Sequence, residues 1–122
     1  GSIINIGSDL SVIAPNQKIY KSSYKNYIKP VTYSVIKHGM LGLTKYFASL
    51  YGEKNVRVNM ISPGPIKNNQ TNALIEELKN VIPMARLGSA HEILGALHFL
   101  ASSDSSYITG QNIIVDGGRT VI

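Results

Sequence analysis

The stretch PVTYSVIKHGMLGLTKYFASLYG, residues 30–52, decides how the chain folds. Its large apolar side chains recur at alternating intervals of four and three residues, which is the spacing of one apolar stripe along an α-helix. The stripe consists of Ile36, Met40, Leu43, Phe47 and Leu50. Pro30 is acceptable in a first helical turn, whereas Gly39 and Gly42 each cost a helix about 1 kcal/mol relative to alanine. The sequence therefore predicts a helix over residues 30–52 with a packed face, where the glycines let another backbone, such as that of a second subunit, approach closely.

Short apolar runs bounded by turn residues lie on both sides of this helix. The first is GSIINIGS at residues 1–8, and the second is VRVNMI at residues 56–61, followed by Ser-Pro-Gly-Pro at residues 62–65. Proline cannot donate a hydrogen bond to a neighbouring strand, so the two prolines end the second run. A third run, NIIV at residues 112–115, precedes Asp116 and a pair of glycines that turn the chain. The three runs predict three buried β-strands.

Two further helices are predicted between the second and third strands. One is a short helix over residues 71–80. The other begins where Ser89 and Glu92 form an S-x-x-E capping box, and it continues to about residue 101. Its inward-facing side chains are expected to be Ile93, Leu94, Leu97 and Leu100. The order strand, helix, strand, helix, strand predicts an α/β fold with parallel strands joined by right-handed crossovers.

Composition limits the classes of protein to which the chain can belong. With 122 residues, of which 43% are apolar, it can form one core, so we expect one domain or part of one. The absence of cysteine argues against a disulfide-stapled secreted module and excludes a cysteine zinc site, which makes the cytoplasm the default compartment. No apolar run approaches the roughly 20 residues that span a bilayer, and no secretory leader is recognisable. The histidines, His38, His91 and His98, are too dispersed to predict a metal site.

Tyr33 and Lys37 form a Y-x-x-x-K pair in the first part of the predicted helix. Residues four apart lie on one helix face, about 6 Å apart along the axis, so the ammonium can lie near the phenol. A phenol normally titrates at about pH 10, and a close cation favours its ionised form. Such a pair can therefore transfer a proton near neutral pH. Because the pair is frequent by chance, its interpretation depends on the residues around it.

Four segments of the chain resemble, in the same order, the short-chain dehydrogenase/reductase family. Residues 1–8 resemble the strand that ends in the family's catalytic serine, and residues 33–37 (YSVIK) with the following HGMLGLTKYFA resemble its active-site helix. Residues 56–64 (VRVNMISPG) resemble the strand and turn beside the nicotinamide, and residues 107–118 (YITGQNIIVDGG) resemble the last strand. The resemblance covers nearly the whole chain. It implies an NAD- or NADP-dependent oxidoreductase that acts on a carbonyl or a secondary alcohol.

The resemblance also implies roles for individual residues. Ser8 would hydrogen-bond the substrate oxygen, with Ser11 as the alternative serine. Tyr33 would exchange a proton with the substrate, while Lys37 would assist it and hold the nicotinamide ribose. The cofactor contacts, besides Tyr33 and Lys37, would be Pro63, Gly64, Ile66 and Asn68. Asn68 occupies the position where the family has a threonine that holds the carboxamide, and an amide can also donate and accept there.

Part of the family pattern does not occur in the chain. The glycine-rich turn that receives the cofactor pyrophosphate, the first strands and the catalytic asparagine have no counterpart among the 122 residues. We therefore expect residues 1–122 to be a partial domain, the carboxyl-terminal half of a Rossmann-like, doubly wound parallel sheet, which would have little activity alone. Family members commonly form tetramers, so the full-length protein is expected to be a homo-oligomer, either a tetramer or a dimer.

Residues 16–30 depart from the family pattern, because Ser8 and Tyr33 lie much further apart than is usual. This segment has four lysines and three tyrosines without an acidic residue: Lys18, Lys21, Lys25, Lys29, Tyr20, Tyr24 and Tyr27. We expect an irregular, exposed excursion over residues 9–29, in which there is room for a short helical turn. Three interpretations stay open: a solvated loop, a site for single-stranded nucleic acid, and a cover over a polar or anionic substrate such as a sugar.

The run KPVTYSVIKHG at residues 29–39 is similar to family members from bacterial surface-sugar and flagellin-modification pathways, which favours the third interpretation. We expect a small-molecule partner, and neither nucleic acid nor a membrane. A rival hypothesis is that the protein has the same fold but no catalytic activity and serves as a dinucleotide-binding or regulatory protein. The presence of Ser8, Tyr33 and Lys37 together disfavours it.

Overall fold

The computed structural model describes residues 1–24 and 27–122, and within them it contains three strands and four α-helices. The strands are β1 (Ser2–Ile6), β2 (Arg57–Pro63) and β3 (Asn112–Val115). The helices are α1 (Gln17–Ser23), α2 (Val31–Tyr51), α3 (Asn72–Lys79) and α4 (Leu94–Ala101). None of the helices in the described residues is both long and apolar enough to cross a membrane. The predicted α/β class is confirmed.

All three strands are parallel and lie in the order β1-β2-β3. Ile61 of β2 pairs with Ile6 on one side and with Ile113 on the other, so the carboxyl ends of the strands meet at one end of the sheet. Val58, Met60 and Ile61 have no exposed surface. The polar Asn59 and Ser62 of the same strand also have no exposed surface, so β2 is buried on both faces, as is typical of a central strand in a parallel sheet. The three predicted strands are confirmed, and β2 continues slightly beyond its predicted end.

Helix α2 covers one face of the sheet, and small or polar side chains set its position. Its buried residues are Thr44 and Ala48. Asn5 of β1 donates from Nδ2 to Thr44 Oγ1 over 2.9 Å, and Thr44 Oγ1 donates to the Met40 carbonyl over 2.7 Å. The bounds of α2 agree with the predicted helix to within one residue at each end.

Three of the five side chains in the predicted apolar stripe of α2 are exposed, and the other two, Met40 and Phe47, are half-buried. Ile36, Leu43 and Leu50 are 60%, 46% and 50% exposed. Apart from the adjacent residues and the neighbouring backbone of α2 itself, no atom of the described residues lies within 4 Å of a Cβ placed on Gly39 or Gly42. The helix packs through the neighbouring face instead, because the small side chains there allow close approach to β2. The stripe is therefore available for contact with groups outside the described residues.

Helix α4 covers the opposite face of the sheet. Ser2 of β1 donates from Oγ to the Leu100 carbonyl over 2.8 Å, and Arg57 of β2 donates to the Ser102 carbonyl, just after the helix, over 3.1 Å. Ser2 and Asn5 are an odd number of positions apart in one strand, so their side chains leave opposite faces. The sheet is thus sandwiched between α2 and α4.

The two crossover connections do not share one hand. Each steps in the same direction across the sheet, from β1 to β2 and from β2 to β3, but they pass over opposite faces. The expectation of right-handed crossovers therefore holds for one connection at most. The second connection includes α3 as well as α4, so it is less constrained than a single helix that follows its strand directly.

The apolar face of α4 differs from the predicted one at a single residue. Leu100 has no exposed surface, and Ile93 and Leu97 are half-buried. Leu94 is 44% exposed, so the expectation that it faces inward is wrong. At about 100° per residue, it lies roughly 90° from the mean direction of the other three and thus at the margin of the face.

The capping box predicted at Ser89 and Glu92 is present and begins a 3-10 turn (Ala90–Ile93) that leads into α4. Glu92 Oε2 accepts from the Ser89 backbone N–H over 2.8 Å. The two Glu92 oxygens also accept from Arg86 Nη1 and Nη2 over 2.9 and 2.7 Å. The Arg86 guanidinium, followed by the Ser89 N–H and hydroxyl, lowers the pKa of Glu92 to about 2. The arrangement favours the ionised carboxylate, although solvent and salt screen an exposed pair.

The segment between β1 and α2 is more regular than predicted, because it contains α1. The helix is capped by the side chain of Asn16. It joins α3 and the following turn in one apolar cluster formed by Ile19, Leu74, Leu78 and Ile82. Only Ile19 and Tyr20 of its seven residues are large and apolar, too few to produce a helical period. Lys25, which was grouped with the lysines of this segment, lies outside the described residues.

Replacing Leu100 with alanine should lower the free energy of unfolding by about 2–5 kcal/mol, because it opens a cavity between α4 and the sheet. The matched change Leu94→Ala removes the same atoms from a side chain that is 44% exposed, so it should cost about 1 kcal/mol or less. Urea unfolding followed by circular dichroism measures both values. Equal losses would contradict the assignment of the buried face.

Glu92 predicts a dependence of stability on pH. Its pKa is lowered from 4.5 to about 2. Above pH 4.5 the ionised carboxylate therefore stabilises the fold in full. This stabilisation is lost as the pH falls from 4.5 to about 2. The melting temperature of Glu92→Gln should therefore fall less than that of the parent chain when the pH is lowered from 4.5 to about 2. High salt should make the melting temperatures of the two proteins more similar. Glu53→Gln, at an exposed residue with no ion pair among the described residues, is the control. The same result for both variants would refute the assignment.

Candidate active site

A cleft with a volume of about 260 Å³ lies at the carboxyl end of the sheet. Ser8, two residues after β1, and Gly64, the residue after β2, both line it. Tyr33, in the first turn of α2, lines it as well. The other lining residues come from the connection between β1 and α2, from α3 and the loop before it, and from the segment after β3: Asp9, Leu10, Tyr20, Lys29, Pro65, Gln70, Leu74, Leu78 and Arg119. Ligands of open α/β sheets bind at this end of the strands.

Local hydrogen bonds fix the Ser8 hydroxyl at the start of a 3-10 turn (Asp9–Ser11). Ser8 Oγ accepts from the Leu10 backbone N–H over 3.2 Å and donates to Asp9 Oδ1 over 3.0 Å. The Ser8 backbone N–H donates to Ser11 Oγ over 3.1 Å. Ser8 is 7% exposed and lines the cleft, whereas Ser11 has no exposed surface and is not among the lining residues. The geometry favours Ser8 as the serine that a ligand can reach.

Tyr33 and Lys37 lie on the same side of α2, in agreement with their four-residue spacing. Lys37 Nζ is 5.8 Å from the centroid of the Tyr33 ring. It donates to the carbonyl of Ile6, the last residue of β1, over 3.2 Å. The ammonium is therefore held at the carboxyl end of β1, although Lys37 is not among the residues that line the cleft.

The turn after β2 requires glycine at position 64. Pro63 pairs with Val115 of β3, and the Gly64 N–H donates to the Val115 carbonyl over 2.9 Å. A Cβ on Gly64 would lie 2.6 Å from Asp116 Cα, closer than side chains approach a backbone. A larger residue would force the ends of β2 and β3 apart. Gly64 therefore presents only backbone to the cleft.

Four of the residues expected to contact the cofactor do not line the cleft: Lys37, Pro63, Ile66 and Asn68. Ile66 forms a parallel bridge with Gly88. Asn68 is exposed, and its backbone N–H donates to Gln70 Oε1 over 2.6 Å. Gln70 does line the cleft, with Nε2 donating to the Ile66 carbonyl over 2.7 Å. The roles of Ile66 and Asn68 stay predictions, and Gln70 is a neighbouring polar group that the sequence did not single out.

A buried ion pair joins Asp9 to Arg119 at the cleft. Both side chains are 5% exposed, and Arg119 Nη1 donates to Asp9 Oδ2. The other oxygen of the same carboxylate accepts from the Ser8 hydroxyl. This pair was not predictable from the sequence, because its members are 110 residues apart and no local pattern connects them. The one available signal is an acidic residue directly after the candidate serine.

Tyr20 and Lys29, from the connection before α2, also line the cleft without having been assigned to it. Lys29 Nζ lies 4.2 Å from the centroid of the Tyr33 ring and 5.5 Å from that of the Tyr20 ring. Burial raises the pKa of Tyr20, an effect that the Arg119 cation partly offsets. Lys29 precedes Tyr33 by one helical period, but Pro30 separates it from the helix, so the spacing alone gave no indication of the contact.

Other ionisable residues noted in the sequence have structural surroundings. Asp116 caps the turn after β3, where its oxygens accept from the Gly118 and Thr120 N–H groups over 2.8 and 2.7 Å. His91 is exposed and shares a hydrogen bond of 2.9 Å with Ser89 Oγ. In the described part of the chain, no three histidine or acidic side chains are grouped so that they could hold a metal ion.

Comparison with known proteins decides the family. The family model described as Enoyl-(Acyl carrier protein) reductase matches residues 1–120. The chain belongs to the short-chain dehydrogenase/reductase family. A 3-oxoacyl-[acyl-carrier-protein] reductase of Chlamydia muridarum is 40% identical over 131 residues, which cover 97% of this chain and 52% of that protein. The post-translational flagellin modification protein A of Campylobacter coli is 35% identical over 118 residues, which cover 97% of this chain and 45% of that protein.

Solved structures of the family have the same architecture. A short chain dehydrogenase from Leptospira borgpetersenii with bound NAD+ superimposes with a TM-score of 0.90 at 38% identity, over 98% of this chain and 44% of that one. The chain spans about half the length of the curated relatives it matches. The predicted family and the Rossmann-like α/β class are confirmed, as is the similarity to a flagellin-modification protein.

Replacing Arg119 with methionine should lower the free energy of unfolding by about 3–5 kcal/mol, because the buried Asp9 carboxylate loses its partner. The double change Asp9→Asn with Arg119→Met removes both charges and should cost less than the single change. Arg86→Met breaks an exposed pair with Glu92 and should have a much smaller effect. Urea unfolding compares the three variants with the parent. If Arg119→Met lowered the free energy of unfolding no more than Arg86→Met does, the buried pair would not stabilise the fold.

Proposed function

We propose that this chain carries the catalytic groups of an NAD(P)-dependent oxidoreductase that moves a hydride between the cofactor and a carbonyl or secondary alcohol. The main support is that the Ser8 hydroxyl and the Tyr33 phenol line one cleft, with the Lys37 ammonium on the same side of α2 as Tyr33. A hydroxyl donor, a phenol and an ammonium are groups that polarise a carbonyl and exchange a proton with it.

In this proposal the three residues have separate tasks. Tyr33 gives a proton to the carbonyl oxygen during reduction, or takes it from the alcohol during oxidation. Ser8 donates a hydrogen bond to the same oxygen and holds it against the phenol. Lys37, with Nζ 5.8 Å from the Tyr33 ring centroid, supplies positive charge where negative charge develops on the phenol oxygen.

The residues at this end of the sheet suit the nicotinamide and ribose of NAD or NADP. Lys37 has N–H donors for ribose hydroxyls, and Gly64 lines the cleft without a side chain, so a flat ring can approach it. When bound, the cofactor supplies the hydride. The Leptospira relative contains NAD+, which supports a nicotinamide cofactor for this chain.

We further propose that residues 1–122 form the carboxyl-terminal half of one domain, and that the other half binds the cofactor pyrophosphate. The chain's coverage of 52% and 45% of two relatives supports this division. So does the exposed apolar stripe of α2, where Ile36, Leu43 and Leu50 would be covered by the rest of the domain or by a second copy. The latter arrangement is consistent with a homo-oligomer.

We propose a polar small molecule, such as a sugar or a sugar derivative, as the substrate. The similarity to the flagellin modification protein supports it, as does the packing of α1 on α3, which holds the segment before α2 beside the cleft. The Tyr20 and Tyr24 rings each pack on Tyr27, with centroids 5.9 and 5.8 Å apart. Both contacts are tilted or edge-on, so the three rings pack on one another within this segment.

Tyr33→Phe, made in the full-length protein, should lower kcat by about 10²–10⁴-fold, because it removes the hydroxyl that exchanges the proton. Tyr46→Phe, at a residue of α2 that is 62% exposed, is the matched control and should leave kcat unchanged. Turnover is followed by the absorbance of the reduced nicotinamide with NAD(H) and NADP(H), over a panel of alcohols, carbonyls and sugars. Cofactor affinity, measured by titration, should be similar in the two variants.

Full activity of Tyr33→Phe would remove Tyr33 from the mechanism. Tight binding of a cofactor by the parent protein without turnover of any substrate in the panel would instead favour the noncatalytic binding protein.

A further inference from the structure

Lys29 is held in a fixed position before α2 by one glutamine side chain. Gln17 Nε2 donates to the Lys29 carbonyl over 3.2 Å, and the Lys29 N–H donates to Gln17 Oε1 over 2.9 Å. Gln17 is the first residue of α1, which is anchored on α3 through the buried Ile19. Pro30, with its restricted φ, follows directly. The backbone of Lys29 is therefore fixed relative to Tyr33, four residues further along.

The ammonium of Lys29 lies over two aromatic rings and has no ionic partner among the residues that the structure describes. Its Nζ is 4.2 Å from the Tyr33 centroid and 5.5 Å from the Tyr20 centroid. Aromatic faces attract a cation but do not neutralise it. Within residues 1–24 and 27–122, no carboxylate forms an ion pair with Lys29, and its ammonium donates no hydrogen bond. The half-buried side chain thus has its donors available.

The remaining charges that line the cleft cancel each other. Asp9 and Arg119 form a pair in which each side chain is 5% exposed. Lys29 therefore leaves the cleft with one unbalanced positive charge. A cation that is partly withdrawn from water without a counter-charge is unfavourable. A charge-assisted hydrogen bond to an oxyanion would relieve this cost.

We propose that Lys29 binds an oxyanion of the substrate, so that the molecule that reacts beside Ser8 and Tyr33 carries a carboxylate or a phosphate group. The inference rests on the proposed function only in taking this cleft as the substrate site. Ser8 and Tyr33 are directed to the reacting oxygen in that proposal, which leaves Lys29 to recognise a second group. Lysine is a compact point charge with three donors, and either oxyanion suits it.

The first test observes Lys29 itself and needs no turnover. The full-length protein with bound cofactor, labelled with ¹³C-lysine, is titrated with inorganic phosphate and separately with acetate at constant ionic strength. Lys29→Met and Lys21→Met assign the two resonances. Lys21 is an exposed lysine of the neighbouring helix that does not line the cleft, and it serves as the matched control. The Lys29 εCH₂ signal should shift saturably with at least one anion, while the Lys21 signal should not.

The second test connects this site to the substrate. D-glucose, D-glucuronate and D-glucose 6-phosphate differ only in the group at one carbon, and similar triplets of other sugars extend the panel. The parent should prefer the charged members, and the carboxylate and phosphate members distinguish the two sources of the oxyanion. Lys29→Met should lower the ratio of kcat/KM for the preferred charged sugar to that for the neutral one by about 10- to 100-fold, chiefly through KM. Lys29→Arg should restore much of the ratio, and Lys21→Met should not change it.

A linear drift shared by the Lys29 and Lys21 signals, without saturation, would overturn the inference. An unchanged substrate ratio in Lys29→Met would overturn it as well. Absence of turnover with every substrate would count against the proposed oxidoreductase, while the titration would still decide whether Lys29 binds an oxyanion. The two failures are therefore distinguishable.

Discussion

The burial of β2 is the constraint on which the rest of the structure depends. This strand has a partner on each edge and a helix on each face, and Val58, Met60 and Ile61 have no exposed surface. Each such side chain contributes about 1.5–3 kcal/mol when it leaves water. Its buried polar groups are paired, since Asn59 Nδ2 donates to the Ile108 carbonyl and Asn59 Oδ1 accepts from the Gln111 N–H. Because two strands and two helices hold β2, the position of its last residue relative to the end of β1 is fixed. The cleft forms at this end of the two strands.

Much of this arrangement follows from short-range patterns in the sequence. The bounds of α2 and the identity of the three strands were predictable because hydrophobic period and turn residues act over a few positions. The relation of Tyr33 to Lys37 was predictable for the same reason, since one helical turn determines it. The end of the sheet at which Ser8 and Gly64 meet also followed, because parallel strands share a direction. Local rules were thus sufficient for the fold and for most of the proposed catalytic group.

The features that the sequence did not reveal depend on contacts between distant or irregular segments. The apolar stripe of α2 indicated a helix correctly, but periodicity does not tell which partner a stripe meets, and Thr44 and Ala48 pack on the sheet instead. Arg119 and Asp9 are brought together only after all three strands have assembled. Lys29 reaches Tyr33 from outside the helix, through a connection whose path is set by the docking of α1. In each case the deciding information is tertiary.

The hydrogen bond from Ser8 to Asp9 has a consequence for any arriving carbonyl. A serine hydroxyl has a single proton, and in this structure it points to Asp9 Oδ1 at 3.0 Å. A carbonyl oxygen must compete with a carboxylate for that proton, so the serine has to rotate before it can serve as a donor. The hydroxyl can leave Asp9 at a low energetic cost, because Arg119 still forms an ion pair with the other oxygen of the carboxylate. The ion pair thus holds Asp9 where the Ser8 hydroxyl donates to it in the absence of a ligand. A carbonyl oxygen that is too weakly basic would not draw the hydroxyl away from Asp9.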